Sequence, residues 1–232
     1  RSPKDIMTKQ SQPVNLDDLN KHPGKRLMGM LLVYGSTKDI LSMNGYEVLR
    51  FTKEIESGRY SKIALDPSRR LEYRDYQNHL IRYFHNFLAG AKTVVEHTRN
   101  MMRSADISEE HRTAYQAQVE AIFLDSLPKF IEDFRNYIMH SGLPNLVHLC
   151  SLPNERWEVV IDMARLRAWD GWTARSRQFI NSQPDHIRLY ALVEIYLDKT
   201  KTLHEWLVKS FEIYYGKTMK EYDALQARLH KQ

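Results

Sequence analysis

The sequence predicts a mainly α-helical bundle with a small β-hairpin inserted in it. Long segments carry apolar residues every three or four positions, which is the spacing of an amphipathic helix. One short segment, around residues 145–166, is instead rich in β-branched residues, which favours two strands. With 232 residues, of which 42% are hydrophobic and 27% charged, the chain can bury one core, so we expect a single domain.

Residues 1–26 are predicted to form a flexible N-terminal arm, because three prolines interrupt a largely polar stretch. The single helical-bundle domain is then expected to span residues 27–232. Its first part, residues 27–56, has helical character that we expect to be interrupted near the Asn44-Gly45 pair.

A long helix is predicted to start at Asp66 and to reach about Arg103. Asp66 is a suitable N-cap, and Pro67 fits the first helical position, where no backbone N–H is needed. The apolar residues that follow keep the three-and-four spacing of one buried face. They are Tyr76, Leu80, Phe84, Phe87, Ala91, Val94, Val95 and Met101.

Another long helix is predicted after the turn and cap in the stretch SADISEE. Its apolar stripe continues to Ile138, and Pro128 within the stripe should bend it. The helix is expected to end between His140 and Gly142, because Pro144 cannot continue it.

The hairpin is expected around residues 145–166, with its turn at Pro153-Asn154. It is too short to have a core of its own, so we expect an appendage that packs one face on the bundle. Beyond it, the sequence predicts a capped helix from about Asp170, one long amphipathic helix over residues 184–215, and a shorter helical piece after Gly216.

Composition excludes several classes of protein. Cys150 is the only cysteine, so neither an intramolecular disulfide nor a cysteine-rich metal site can form, and we expect a cytoplasmic protein. No apolar run reaches membrane-spanning length and the N-terminal stretch is polar, so neither a membrane span nor a signal peptide is predicted. The net charge of +5 is compatible with an acidic partner such as nucleic acid.

Several catalytic motifs are also missing from the sequence. It has no glycine-rich phosphate loop, no H-E-x-x-H metal motif and no G-x-S-x-G nucleophile elbow. A di-iron site in a helical bundle needs Glu and His three positions apart, whereas the stretches EEHR and VEHT place them side by side. We therefore expect neither a metal nor a cofactor.

The stretch FRNYIMHSGLP, residues 134–144, carries the chemistry that remains. An arginine such as Arg135 binds phosphate oxygens through two hydrogen bonds and stabilises the charge that develops during phosphoryl chemistry. An imidazole such as that of His140 can take a proton from a ribose 2′-hydroxyl or give one to the leaving oxygen. Asn136 lies one helical turn before His140 and could position either the ring or the ligand. This combination suits RNA cleavage without a metal.

A simpler interpretation of the same residues stays open. Arg135 could pair with a carboxylate, and His140 could cap the carbonyl end of the helix, where a positive charge is favoured. The spacing alone is not specific, because Arg74 and His79 share it. On a regular helix Arg135 also lies well round the cylinder from His140, so a second subunit or a loosened last turn would have to complete a site.

Arg135, Asn136 and His140 match, in order, the motif of the HEPN superfamily, and the stretch resembles that signature near the end of a long helix. The resemblance covers roughly residues 66–142 and the last long helix. More loosely, NFLAGAKTVVEHTRN, RNYIMHSGLP and WDGW are similar to stretches of uncharacterised bacterial proteins. The resemblance implies a homodimer in which two motifs meet in one cleft, and a catalytic histidine and arginine that cleave RNA.

The resemblance also implies a toxin or phage-defence effector, with an antitoxin or defence component as a partner protein. Glu96, His97 and Arg99 of the preceding long helix could line the cleft and contact the RNA, or could form a solvated face. Toxins paired with nucleotidyltransferase antitoxins usually carry a tyrosine where this chain has Gly142, so that subgroup is disfavoured. The alternative function is a non-catalytic HEPN-like module that binds nucleotide, RNA or protein.

Overall fold

The computed structural model describes residues 15–144, 146–151 and 156–231, and in these residues it confirms a mainly α-helical fold with a small antiparallel sheet. The helices are α1 (Leu16–Lys21), α2 (Pro23–Glu56), α3 (Ser61–Ala64), α4 (Arg70–Arg103), α5 (Glu109–Ile122), α6 (Leu127–His140), α7 (Met163–Arg167), α8 (Ala174–Ser182) and α9 (Leu189–Leu229). The strands are β1 (Leu146–Ser151), β2 (Arg156–Asp162) and β3 (His186–Arg188).

Three long helices, α2, α4 and α9, form the centre of the bundle, and α6 packs against α4. Helix α2 runs without a break through Asn44-Gly45, so the predicted interruption there is wrong. Gly45 is buried, and a Cβ at this position would lie 2.8 Å from Cδ1 of Leu197 on α9. The glycine therefore allows two helices to approach closely, and its helical neighbours outweigh its low propensity.

The expected arm of residues 1–26 differs from the structure where the structure describes it. Helix α1 begins after Asn15, whose side chain accepts from Asp18 N while Asp18 accepts from Asn15 N, which is a capping box. Helix α2 then starts at Pro23, and Gly24 packs so closely on α9 that a Cβ would lie 2.5 Å from Cβ of Tyr222. Packing on α9 and capping order this part of the chain. Residues 1–14 lie outside the described residues.

The predicted helix from Asp66 to Arg103 is confirmed at both ends. The Asp66 side chain accepts from Ser68 N, a 3₁₀ turn follows at Pro67–Arg69, and α4 continues to Arg103. The buried residues of α4 include the predicted apolar positions except Val95, which is half-buried.

The predicted bend at Pro128 is a complete break between two helices. Helix α5 ends at Ile122 and α6 begins at Leu127, with Pro128 in its first turn. Proline lacks the backbone N–H that the interior of a helix requires but the first turn does not. The side chain of Asp125 accepts from Leu127 N at 3.3 Å and helps to start α6. The end of α6 at His140 is confirmed.

The predicted hairpin is confirmed by the antiparallel pairing of β1 and β2, with Leu146 opposite Ile161 and Ser151 opposite Arg156. Trp157, Val159 and Ile161 are buried, as expected for the face on the bundle. The predicted turn residues Pro153-Asn154 lie outside the described residues.

Two details of this region were not predicted. The second strand stops at Asp162, whose side chain caps α7 by accepting from Arg165 N, so the hairpin does not reach residue 166. Strand β3 was expected to be helical, but it pairs with β2, where Val160 lies opposite Arg188. The guanidinium of Arg188 binds Glu56 at the end of α2, and this ion pair fixes the sheet to the bundle.

The C-terminal part differs from the prediction in the positions of its helix ends. Helix α8 starts at Ala174 with Thr173 as its N-cap, rather than near Asp170. Helix α9 continues through Gly216 to Leu229 without the expected separate piece. None of the helices in the described ranges has the length and apolar character that a membrane span requires.

His148 of β1 makes stability depend on pH. Its Nδ1 lies 3.0 Å from Oη of Tyr73, while its Nε2 is buried and has no hydrogen-bond partner among the described residues. Burial lowers the pKa of His148 from 6.5 to about 4. The unfolded chain therefore binds the proton more tightly, and stability that is present above pH 6.5 is lost as the pH falls towards 4.

We expect the free energy of unfolding to fall by about 2 kcal/mol more in the wild type than in His148→Phe between pH 7.5 and pH 5. Denaturant titrations at several pH values measure this difference. Some pH dependence will remain in the variant, because burial also lowers the pKa values of His111 and His204. His79→Phe, on the exposed face of α4, is the matched control and should keep the wild-type slope. Equal slopes for His148→Phe and wild type would contradict this account.

Candidate functional site

The three motif residues lie on the last turns of α6. Arg135 and Asn136 are half-buried, and His140 is exposed at the last helical position. No side-chain hydrogen bond or ion pair of these three residues occurs within the described part of the chain. The simpler interpretation is wrong for Arg135, which holds no carboxylate within the described residues. His140, however, does lie in the last turn of α6, where a positive charge is favoured. Ser141 N donates to Tyr137 O at 2.8 Å and closes the helix.

Asp133 fixes α6 one turn before this end. Its carboxylate is buried and accepts from Thr173 Oγ1 at 2.6 Å and from Ser176 Oγ at 2.6 Å. Lys129 Nζ lies 3.0 Å from its other oxygen. Burial alone raises the pKa of Asp133, but the hydrogen bonds from Ser176, Thr173 and Lys129 outweigh it and lower the pKa. The carboxylate therefore stays charged and ties α6 to the start of α8.

Tyr137, between the motif residues, is held by the two tryptophans of the WDGW stretch. Its ring stacks on Trp172 with centroids 5.6 Å apart and meets Trp169 edge-on at 5.2 Å. Trp172 Nε1 donates to Leu166 O at 2.7 Å, which satisfies the buried indole. Gly171 is required in the turn, because a Cβ there would overlap the Trp169 ring. The two short stretches singled out in the sequence are therefore in contact, and WDGW supports the helix that carries the motif.

The regular helix keeps Arg135 and His140 apart within one chain. Five residues at 3.6 per turn place the two side chains about 140° apart round the axis, whereas Asn136 and His140 are only about 40° apart. The last turn of α6 is not loosened, since it is helical to His140. One subunit alone therefore brings Asn136 and His140 to one face, and Arg135 to another.

The pair that shares the spacing has a different setting. Arg74 and His79 are exposed in the first half of α4, far from its end. His79 Nδ1 lies 3.2 Å from a guanidinium nitrogen of Arg82. This pair therefore serves as a matched control for the motif.

Glu96, His97 and Arg99 lie near the end of α4, and two of them connect to α6 through Glu132. Arg99 Nη1 donates to Glu96 at 3.0 Å, and its Nη2 lies 3.8 Å from Glu132. Lys92 bridges Glu96 and Glu132. The hydrogen bond from Lys92 is the main reason that the pKa of Glu96 is lowered.

Glu132 is eight residues, or about 12 Å along the helix axis, from His140. The contacts of Glu96 and Arg99 therefore reach the first half of α6 rather than the motif at its end. His97 makes neither contact, and its Nδ1 is buried without a hydrogen-bond partner among the described residues. Sequence reasoning missed Lys92, Glu132 and Asp133, because their role depends on which helices meet.

The described residues contain no group of three or more His, Cys, Asp or Glu side chains arranged to hold a metal ion. A cavity of about 500 Å³ lies between α4, α5, α6 and α9, and its walls include Arg99 and Glu132 but none of the three motif residues.

No protein-family model, curated protein or solved structure matches the chain.

Proposed function

We propose that this protein is a metal-independent endoribonuclease of HEPN type that acts as a homodimer in the cytoplasm. The observation that carries the proposal is that Arg135, Asn136 and His140 have no side-chain partner within the described residues, although their helix is held firmly by Asp133, Trp169 and Trp172. Polar side chains that are unpaired and rigidly supported are available for a ligand.

The proposed reaction uses these side chains and no cofactor. His140 takes the proton from a ribose 2′-hydroxyl, the 2′-oxygen attacks the adjacent phosphorus, and the bond from phosphorus to the 5′-oxygen breaks. The leaving 5′-oxygen takes a proton from a protonated imidazole, that of His140 in the second subunit. The products are a 2′,3′-cyclic phosphate and a 5′-hydroxyl. Arg135 donates to the non-bridging oxygens and stabilises their growing charge, and Asn136 positions the ribose or the ring.

A second subunit is part of the proposal for two reasons. Within one chain Arg135 and His140 point about 140° apart, so a cleft needs groups from another copy. In addition, Met139 and Leu143, on either side of His140, are 52% and 63% exposed, and such apolar side chains are expected at an interface.

We expect light scattering to give the mass of a dimer at micromolar concentration. Met139→Glu and Leu143→Glu should each shift the chain towards monomer, because a two-fold axis would bring like charges together. Val208→Glu on α9 is the control, since it changes an equally exposed apolar residue away from the motif. A native chain that stays monomeric would remove the composite site from the proposal.

The activity itself is tested with purified chain and single-stranded RNA. We expect cleavage that persists in the presence of a chelator and products that end in a 2′,3′-cyclic phosphate. Expression in bacteria should slow growth for the wild type but not for His140→Ala, as expected of a toxin or defence effector, and a co-expressed antitoxin or defence partner would relieve it. Loss of cleavage with chelator would contradict the metal-independent mechanism.

A non-catalytic module that binds nucleotide, RNA or protein is the second candidate. It is favoured by the separation of Arg135 and His140 round α6, which leaves no single-chain cleft that contains all three motif residues. Binding of RNA to a homodimer without any cleavage would decide for this candidate.

A further inference from the structure

We propose that the cavity between α4, α5, α6 and α9 binds a small amphipathic carboxylate, a molecule with an apolar body that ends in a carboxylate group. The site is separate from the motif on α6, and the inference does not rest on the ribonuclease proposal. Its volume of about 500 Å³ is within the range of small-molecule sites.

Helix α5 is held by hydrogen bonds at its two ends, and between them the ring of Tyr115 packs on the core beside Trp206. At the first end, the buried His111 binds Ser210 Oγ at 2.8 Å through Nε2 and Tyr215 Oη at 3.3 Å through Nδ1. At the other end, Lys199 donates to Ile122 O at 2.8 Å and pairs with Asp125 at 3.0 Å. His111 is the one fully buried residue of α5.

The break between α5 and α6 at Pro128 also shapes the cavity. Because α5 stops at Ile122, the chain turns before α6 instead of extending one helix across the space. The wall of the cavity therefore includes Val119 of α5 together with Phe123 and Leu124 of the connection to α6. The apolar part of the walls consists of Val94, Val95, Val119, Phe123, Leu124 and Leu203. Such walls require a ligand with an apolar body.

Four polar residues of the lining, three tyrosines and Arg175, make no side-chain hydrogen bond or ion pair within the described residues. Tyr34, Tyr115 and Tyr196 line the cavity, and their hydroxyls make no hydrogen bond within the described residues. Tyr34 is 2% exposed, and a buried polar group without a partner is costly. Burial raises the pKa of Tyr115 to about 12, against a smaller lowering by Arg99, so its hydroxyl stays protonated. Burial also raises the pKa values of Tyr34 and Tyr196.

Two arginines of the lining, Arg99 and Arg175, supply the positive charge that favours a carboxylate over a neutral acceptor. Arg175 is exposed and has no side-chain partner within the described residues. Arg99 Nη1 donates to Glu96 at 3.0 Å, and its Nη2 pairs with Glu132 at 3.8 Å, beyond hydrogen-bond distance. Glu132 itself is already held by Lys92 and Lys129. The two guanidiniums and the tyrosine hydroxyls can therefore donate to a carboxylate headgroup, as arginine commonly does.

The acidic side chains of the lining do not favour a cationic ligand. Glu132 is neutralised by lysines, and Asp125 pairs with Lys199. Glu120 is exposed at the mouth and accepts from Gln116 at 3.2 Å. A carboxylate headgroup next to Arg99 with its body along Val95, Val119 and Phe123 uses the groups that are left.

The test is calorimetric titration of the full chain with octanoate, octanol and octylamine, without RNA. We expect octanoate to bind most tightly, octanol about tenfold more weakly, and octylamine not at all. Octanoate should also raise the melting temperature, because it binds only the folded chain. Equal affinity for the three ligands, tightest binding of the amine, or no binding of any of them would overturn the proposal.

Three variants locate the site. Tyr115→Phe removes one hydroxyl and should weaken octanoate binding about five- to tenfold. Val119→Trp should abolish binding by filling the cavity. Arg99→Gln should weaken octanoate about tenfold or more while leaving octanol unchanged, which a structural role for Arg99 would not do.

Arg103→Gln is the control for the charge, since Arg103 is an exposed arginine of the same helix that does not line the cavity. Circular dichroism confirms that each variant is folded, and Tyr115→Phe keeps the test valid if Val119→Trp does not fold. Octanoate affinity unchanged in Tyr115→Phe and Arg99→Gln would place the ligand elsewhere and overturn the proposal. His140→Ala should bind octanoate normally, so failure of the ribonuclease proposal and failure of this one are distinguishable.

Discussion

Replacement of His140 by alanine is expected to lower the rate of RNA cleavage by about 10²–10⁴-fold, the usual contribution of general acid–base catalysis. RNA affinity should change little, because the imidazole acts on protons in the transition state and is exposed at the helix end. Single-turnover cleavage of labelled RNA measures the rate, and filter binding with a 2′-deoxy substrate measures affinity. Cleavage that survives in His140→Ala would leave only a binding module.

Arg135→Ala is expected to weaken both RNA binding and RNA cleavage. Its guanidinium contacts the phosphate in the ground state as well as in the transition state, so both affinity and turnover should fall, by about 10- to 100-fold together. Arg74→Ala and His79→Ala are the matched controls, because they share the spacing but lie in the first half of α4. Equal losses in the two pairs would mean that the motif does not mark the site.

Asp133→Ala is expected to lower the free energy of unfolding by about 3 kcal/mol or more, the largest effect on stability that we predict. The change removes a buried carboxylate that accepts from Thr173 and Ser176 and pairs with Lys129. Removing this buried carboxylate leaves the hydroxyls of Thr173 and Ser176 and the ammonium group of Lys129 without their acceptor. Urea unfolding followed by circular dichroism measures the loss.

The pKa of Asp133 gives this prediction a pH signature. Since the folded pKa is lowered, the stabilisation is present above the unfolded pKa of the carboxyl and is lost as the pH falls through the folded value. The deficit of Asp133→Ala should therefore shrink in acid. Asp170→Ala is the control. The Asp170 carboxylate is exposed in the turn before α8 and makes no contact within the described residues, so this variant should change the free energy of unfolding by less than about 0.5 kcal/mol. Similar losses in both variants would exclude the proposed role of Asp133.

The parts of the fold that local chemistry determines could be predicted from the sequence. Asp66 and Pro67 mark the start of the long helix whichever neighbours it has, because capping needs only the chain itself. The same holds for the end of α6 before Pro144, and for the strands that pair on both sides of the Pro153-Asn154 stretch.

The remaining parts depend on contacts between distant segments. Asn44-Gly45 has the composition of a break, but the helix continues because Leu197 packs against the glycine. Asp170 and Thr173 are both good N-caps, and the choice of Thr173 follows the buried carboxylate of Asp133, which holds its hydroxyl. No local pattern contains that information.

The candidate site also combines residues that the sequence predicts with contacts that it does not predict. Arg135, Asn136 and His140 could be singled out from residue types and spacing. Their support could not, because Tyr137 lies against Trp169 and Trp172 only after the chain has folded. The cavity beside Arg99 was also beyond prediction, since its walls come from segments that meet only after the chain has folded.

The ion pair between Arg188 of β3 and Glu56 of α2 joins residues 132 positions apart, and α2 also meets α9, which follows β3 directly, at Gly45. During synthesis at about 5–20 residues per second, roughly 7 to 26 seconds therefore pass between the synthesis of Glu56 and that of its partner Arg188. In that interval α2 can pair with α4 but not with α9, and one apolar side stays uncovered on the ribosome. The nascent chain thus offers a hydrophobic surface to chaperones, and slower translation would lengthen its exposure to aggregation.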